Sequence, residues 1–478
     1  MGLVNLGQHV LLVVSGGVVN RRKLTVFQLR CESLEGEKFL RVTYLGQACT
    51  LIETGGIRLL VDPWLTEGAY LGTWYHSHLL SQAGITPSKY CHDIDYLFLS
   101  HEHQDHCDPA TLKYFSPDIP LLICQFETSK FKHYLQSLGF TNIWEIPSKT
   151  KVDLQGDVSV TIFGTAEYNN DSAILVEGDG CRVFNETDCK LSYQDLKEIG
   201  QQGVDIGFFM YSGANWFPMA YDYSPEVMKQ LVAQRRQALL KSLVQRVKVT
   251  KARIAVPAAG PCTVFDPNLL WMNSEEFGIF IDPQEAKNVL ERSHSSATPL
   301  VMTPSDVWDQ QTGFEAHAPD EFRMDRQDYI RQTAELLGPS ILANQASEPP
   351  AHDDLPTQVY NFFNSSVGAL SPEMRQRINA KLGIVASGKH CGAWTVDFTS
   401  SDVEFVREGL VEDWTYKIEV EDKHLYPFMT GAMPFFEDLL LSLRIRLARR
   451  PGDYYNEPLY HFLYEPNPER LTKFYAKH

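Results

Sequence analysis

The chain has 478 residues, 44% of them hydrophobic and 22% charged, with 31 Gly and 26 Pro; this balance excludes disordered, collagenous and coiled-coil classes and leaves room for two to three domains at roughly 100–200 residues each. Acidic residues outnumber basic ones 60 to 43, a formal charge of −17, and such a field repels polyphosphate, so no nucleic-acid partner is expected. Nine cysteines, never spaced as CxxC and often inside apolar runs, fit small buried hydrophobes in a reducing compartment.

In chain order, residues 1–40 read as an N-terminal extension whose best strand is 24–29. The apolar run at 10–19 is broken by Ser15, Gly16 and Gly17. It is far short of the roughly 20 residues a bilayer span needs, and no cationic stretch precedes it, so neither membrane association nor a signal peptide is expected and the location reads as cytoplasmic. From residue 41 the pattern is a meander: strands at 41–45 and 50–53, a Gly55-Gly56 turn, and a strand at 57–61 that ends on Asp62-Pro63-Trp64. A buried strand at 96–100 runs straight into a polar cluster, and 109–115 resembles the first turns of a helix. A strand at 121–124, a helix at 129–138, a strand at 158–163 and the pair 173–176 and 182–184 around Gly178-Asp179-Gly180 follow.

Ser224-Pro225 opens a long helix with an apolar stripe of Met228, Leu231, Val232, Leu239 and Leu243, and a strand at 253–256 comes next. Arg235, Arg236, Lys241, Arg246 and Lys248 crowd that helix; an anion site is one reading, and a solvated basic face is the one adopted. Residues 344–357, with Pro349-Pro350, read as a linker. It separates a catalytic domain at 41–343 from a C-terminal α+β domain at 358–478, in which 414–420 alternates as a strand and 435–447 reads as an amphipathic helix. Strands and helices alternating with many hairpins give mixed sheets covered by helices, an α/β (α+β) architecture.

The strongest chemical signal is His101-Glu102-His103-Gln104-Asp105-His106, directly after the buried strand. Three imidazoles and two carboxylates clustered at a buried strand end need compensating partners, and a metal supplies them. These residues resemble the HxHxDH motif of the metallo-β-lactamase superfamily, which implies an αββα fold with His101 and His103 on one metal and Asp105 and His106 on a second. The resemblance extends upstream through Leu45-Gly46-Gln47-Ala48 and Asp62-Pro63-Trp64-Leu65, and implies that Asp62 hydrogen-bonds and orients a ligand; a plain Asp-Pro turn is the alternative.

The superfamily's third ligand is a His about sixty residues on, but the corresponding segment, Thr165-Ala166-Glu167-Tyr168-Asn169-Asn170, has none. Glu167 is its ionisable group with ligand chemistry, and Asp188 fits the bridging aspartate; surface turns are the alternative for both. Three histidines with three carboxylates form a harder donor set than the nitrogen-rich sites that favour zinc, so two Fe are expected, with two Mn or two Zn as alternatives. Di-iron β-hydroxylases on this fold are similar in using a Glu there. The last ligand of the superfamily is also missing, since Pro257-Ala258-Ala259-Gly260-Pro261-Cys262 offers none and Asp266, His294 or His317 could each replace it.

Gly72-Thr73-Trp74-Tyr75, Ser212-Gly213-Ala214-Asn215-Trp216-Phe217-Pro218 and Pro257-Ala258-Ala259-Gly260-Pro261 together resemble the CMP-N-acetylneuraminate monooxygenase family over residues 41–290. That implies O2-dependent hydroxylation or N-oxygenation of a small polar metabolite; a di-zinc lactonase or phosphodiesterase is the rival and a metal-stabilised binding module the third reading. That family's Rieske domain is not expected here, because residues 1–40 hold only Cys31 and His9, and either a separate ferredoxin or reductase or the substrate itself would supply electrons. Trp74, Tyr75 and His76 stand where a substrate lid would sit, or pack beneath the loop. Tyr168 is the candidate for hydrogen-bonding a reacting oxygen, with packing as its alternative.

Overall fold

A computed structural model describes residues 39–165 and 167–477. It also describes the short strands Asn5–Leu6 and His9–Val10, which pair antiparallel in a unit of their own. The strand expected at 24–29 lies outside the described residues.

The expected meander forms the centre of an eight-stranded sheet, in which Arg41–Gly46, Cys49–Thr54 and Ile57–Val61 run antiparallel and Tyr96–Phe98, Leu121–Cys124 and Ile143–Ile146 then add in parallel. Gly55 and Gly56 make its hairpin with φ of 57° and 77°. Both are backbone conformations that glycine adopts without strain, and a Cβ on Gly55 would sit 2.2 Å from the Gly156 carbonyl oxygen. Successive side chains leave opposite faces of a strand. Ile52, Leu59, Val61 and Phe98 therefore enter the space between two sheets, while Leu51, Leu60, Leu97 and Leu121 meet an outer layer containing Leu112, Phe131 and Leu135. Burial on both faces explains why these strands read as nearly unbroken apolar runs.

The second sheet has seven strands, with Ser159–Gly164, Ser172–Gly178 and Cys181–Asn185 antiparallel and Val204–Met210 and Ala252–Ala258 continuing in parallel. Val160, Ile174, Val183, Ile206 and Phe208 close the inner core. On the outer face the helix Pro225–Thr250 contributes Leu239, Leu243 and Val247 against Phe184 and Phe209. Helix, sheet, sheet and helix form the αββα stack. The parallel strands of both sheets deliver polar loops at their carboxyl ends, where crevices form in α/β sheets. Asp62 follows Val61, the histidine cluster follows Phe98, and Asp188 follows Asn185.

The C-terminal part is a five-stranded sheet in the order Val406–Glu408, Gly392–Asp397, Lys381–Ser387, Tyr416–Glu421, Ile445–Arg449, with helices around it. Two expectations are corrected here. The helix read over 435–447 is the short helix Phe436–Leu441 followed by the strand Ile445–Arg449, because the chain reverses at Leu443 (φ 56°) and Ile445 and Leu447 then alternate inward against Val420 and Ile418. Residues 344–357 are also no free tether: the helix Arg326–Ser347 runs into them and Leu355–Gly368 begins within them. Between these helices Glu348 pairs with Lys423 at 3.0 Å and Arg444 at 3.2 Å. One apolar cluster joins Trp64, Trp74 and Met228 to Val359, Phe363 and Ile384, so the C-terminal sheet is packed onto the rest.

Among the described residues, no helix is long and apolar enough to cross a membrane.

Candidate metal centre

Asp62 ends its strand in a left-handed conformation (φ 42°) with its carboxylate completely buried. It accepts the Ser100 N–H at 2.8 Å and the Ser100 hydroxyl at 2.6 Å, and its Oδ2 lies 2.7 Å from His106 Nδ1. A carboxylate against Nδ1 holds the ring proton there and leaves the Nε2 lone pair free, which is the orienting role the resemblance implied. His106 Nε2 in turn lies 3.6 Å from both the Asp105 and the Asp188 carboxylate. The Tyr70 hydroxyl donates to the other oxygen of Asp105.

The second focus lies beside the first. His101 Nε2 and His103 Nδ1 approach to 2.7 Å. The far nitrogen of His103, Nε2, is 2.7 Å from Glu437 Oε2, and His101 Nδ1 contacts the Ser100 hydroxyl at 2.9 Å with Asp171 Oδ1 3.5 Å away. Ligand atoms of His101, His106 and Asp188 all lie within 4.8 Å of one another. Asp188 Oδ1 is buried and without a hydrogen-bond partner, an arrangement that costs free energy unless a cation rests against it. Convergent imidazole lone pairs and an orphaned carboxylate oxygen fit a metal pair.

Buried charge sets the electrostatics. Burial works to lower the pKa of His103, but Glu437, Asp105 and Glu102 outweigh it and push the ring up to about 10. His101 lies well below the usual imidazole range, through burial and then its histidine neighbours. Asp171 lies well above the carboxylate range because it is buried and faces Asp188.

A buried ion pair supports the loop that carries Asp188. Glu186 accepts the Met210 N–H at 3.1 Å and Arg246 Nε at 2.9 Å, while burial, opposed by Arg246, pushes its carboxyl up to about 7. Arg246→Met leaves that carboxyl unpaired, with an expected loss of about 3–5 kcal/mol measured by urea unfolding.

The remaining expected site residues fare differently. Glu167 is exposed and lines the same cavity as His101 and His103, and its amide N–H donates to Thr165 Oγ1 at 3.1 Å. The carboxylate of that loop that reaches an imidazole is Asp171, four residues on. Tyr168 lines the same cavity, but its hydroxyl donates to the Glu465 carbonyl at 3.1 Å and its ring stacks on His461 at 4.3 Å, as in its packing alternative, because the two last helices close over it. Tyr168→Phe should therefore lower stability by about 1 kcal/mol, one buried hydrogen bond, and leave turnover nearly unchanged; thermal unfolding and a rate assay check both.

The lid reading of Trp74, Tyr75 and His76 is corrected too. Trp74–Tyr75 is a short strand paired with Thr263–Val264, Trp74 and His76 are buried, and Tyr75 packs edge-on against Phe265. His76 stacks on Trp64 at 3.9 Å, and burial pushes its pKa down to about 3, so it is a neutral core ring. None of the three candidates for the last ligand joins the cluster. Asp266 binds Gln345 and the Asn268 amide, His317 pairs with Glu315 on the surface, and His294 is exposed.

Residues that the sequence did not mark complete the surroundings. Glu437 comes from the C-terminal helix Phe436–Leu441 and also accepts from the Tyr460 hydroxyl and from Asn169 Nδ2 at 3.3 Å. The Tyr464 hydroxyl donates to Glu102 at 2.7 Å. A cavity of about 1140 Å³ opens beside His101 and His103, lined also by Asp188, Trp216, Phe217, Tyr455 and Tyr460.

Residues 41–236 match the family profile described as a β-lactamase superfamily domain, and the αββα stack with its HxHxDH loop agrees. This segment has the αββα metallo-β-lactamase fold and is similar to the domains of that superfamily. Across the longer chain, the protein is 29% identical over 456 residues to a provisionally named Rieske 2Fe-2S iron–sulfur protein of Mycobacterium tuberculosis, covering 91% of this chain and 86% of that protein. It is 27% identical over 273 residues to the cytidine monophosphate-N-acetylneuraminic acid hydroxylase of Mus musculus, covering 54% of this chain and 45% of the hydroxylase. Among solved structures, CmlA, a di-iron β-hydroxylase from Streptomyces venezuelae, aligns at 15% identity and a TM-score of 0.37 over 57% of this chain and 54% of CmlA. Igni18, a metallo hydrolase from Ignicoccus hospitalis, aligns at 15% identity and 0.39 over 57% of this chain and 99% of its own.

Proposed function

We propose that this metal-dependent enzyme is a non-haem di-iron oxygenase that hydroxylates or N-oxygenates a small polar metabolite in the cavity beside His101 and His103. One observation carries the reading. Among the described residues, no fourth imidazole hydrogen-bonds to or stacks on the three of the cluster, whereas Asp105, Asp171, Asp188 and Glu437 all stand against it. So oxygen-rich a set suits iron or manganese better than a nitrogen-dominated zinc site does.

His101 and His103 would hold one ion with a carboxylate of the 165–171 loop, Asp105 and His106 the other, and Asp188 would bridge. A bound iron pair supplies reduction of dioxygen and transfer of one oxygen atom to substrate. The protein's own part is orientation: Asp62 and Glu437 hold the outer ring nitrogens of His106 and His103, so the inner lone pairs stay fixed on the site. Tyr70 holds Asp105 in the same way.

The hydroxylase named among the relatives supports oxygenation, and the Rieske name attached to the mycobacterial relative supports an electron supply. These 478 residues contain no Cys-x-His or Cys-x-x-His pair, so the electrons come from outside them, from a ferredoxin or reductase. Anaerobic loading with Fe²⁺ and oxygen-electrode recording across a metabolite panel, with a chemical reductant, tests the proposal. Substrate-dependent O2 uptake is expected; turnover that persists without O2 on a zinc-loaded chain would overturn it in favour of the hydrolase.

A further inference from the structure

The basic residues of the helix Pro225–Thr250 do not share one solvated face. Arg246 is held by Glu186, Arg236 by Glu285 and Lys229 by Glu276, and Lys248 donates to the Ser293 carbonyl. Arg235 differs. It is half-buried in the wall of the cavity that holds His101 and His103, its Nε is shielded from solvent and donates to nothing, and among the described residues no carboxylate pairs with it. Burial, with no neighbouring charge to offset it, holds its guanidinium below the usual range. Unlike a carboxyl or an imidazole, this group cannot relieve the cost by losing its proton, so a desolvated guanidinium calls for an anion.

The rest of the wall indicates what carries that anion. Trp216, Phe217, Tyr221, Tyr455 and Tyr460 line the same cavity. Arg449 lies over the Phe217 and Tyr221 rings at 5.4 and 5.0 Å and gives its Nε to the Tyr223 hydroxyl and the Gly452 carbonyl, again with no carboxylate partner among the described residues. In a chain of charge −17 the long-range field repels anions, so an anionic ligand depends on such local cations.

We propose that Arg235 anchors the substrate through an oxyanion, a carboxylate or a phosphate, borne by a molecule with a planar ring that rests among these aromatic side chains. Its other end reaches the histidine cluster; that orientation, though not the anion site itself, rests on the reading of the cluster as the reaction centre. Guanidinium pairs with both oxyanions through two parallel hydrogen bonds.

Calorimetric titration of the full chain with phenylacetate, phenyl phosphate and uncharged benzyl alcohol tests this. At least one acid is expected to bind, with benzyl alcohol at least tenfold weaker, and the tighter acid identifies the oxyanion. Arg235→Gln should raise the Kd of that acid about tenfold or more, roughly the 1.4 kcal/mol that a tenfold change represents. Arg235→Lys should recover part of the loss, and Lys241→Gln, on the exposed side of the helix, should change nothing. Thermal unfolding of Arg235→Gln should show a melting point equal to or above that of the parent, since an uncompensated charge is removed.

Equal binding by the parent and Arg235→Gln, or binding of neither acid, would overturn the proposal. Repeating the titration after chelation separates the two readings. Arg235-dependent binding that survives chelation, together with no O2 uptake by the Fe²⁺-loaded parent, keeps the anion site and rejects the oxygenase. O2 uptake with no Arg235 dependence of binding does the reverse.

Discussion

Asp188→Ala should empty the centre. The residue sits one turn beyond the strand Cys181–Asn185, with Oδ2 3.6 Å from His106 Nε2 and Oδ1 buried without a partner. On the proposed assignment it would contribute to both ions, so its loss would leave one focus with two imidazoles and the carboxylate of the 165–171 loop and the other with a single imidazole and Asp105. Elemental analysis should find two ions per parent chain and less than one per Asp188→Ala chain. Turnover should fall about a thousandfold or more, in line with losing several kcal/mol of metal-derived stabilisation at about 1.4 kcal/mol per factor of ten. The melting point of the metal-free protein should not drop, because an unpaired buried carboxylate has been removed. Full metal occupancy in Asp188→Ala would refute the bridging role.

Glu437→Gln is the second large effect, and it tests whether the C-terminal sheet belongs to the active machinery. The carboxylate holds His103 Nε2 at 2.7 Å and receives the Tyr460 hydroxyl. Gln keeps the size and one acceptor oxygen but removes the charge that fixes the ring proton and raises ligand basicity. Metal affinity should fall about 10–100-fold, the range seen when such outer partners are lost, with the unfolding midpoint changed little. Chelator competition measures it. An unchanged affinity would make Glu437 a packing residue and detach the C-terminal part from the chemistry.

How far the sequence discloses this arrangement depends on the distance over which each signal acts. The HxHxDH loop and Asp62 are legible because strand alternation is local and the polar break at Ser100–His106 follows an apolar strand directly. Asp188 is legible for the same reason, at the end of Cys181–Asn185. Glu437 is not, since it meets His103 across 334 residues and no periodicity within its own helix marks that contact. Trp74 and His76 mislead because an aromatic loop after a turn looks like a surface flap, whereas pairing with Thr263–Val264 and packing against Trp64 and Phe280 bury it. Tyr168 misleads in the same way, its hydroxyl being taken by a carbonyl 297 residues later. In the 165–171 loop the sequence places a carboxylate where an imidazole was expected, but the exposed position of Glu167 and the nearness of Asp171 to His101 depend on how the loop closes, with the Thr165 N–H donating to the Asp171 carbonyl at 2.9 Å.

The most direct measurement is X-ray absorption at the iron edge on the anaerobically reconstituted chain. A centre built from His101, His103 and His106 with carboxylates predicts a two-iron signature with three imidazoles shared between the ions and oxygen donors making up the remainder. Four or more imidazoles on the pair, or a single isolated ion, would contradict the account.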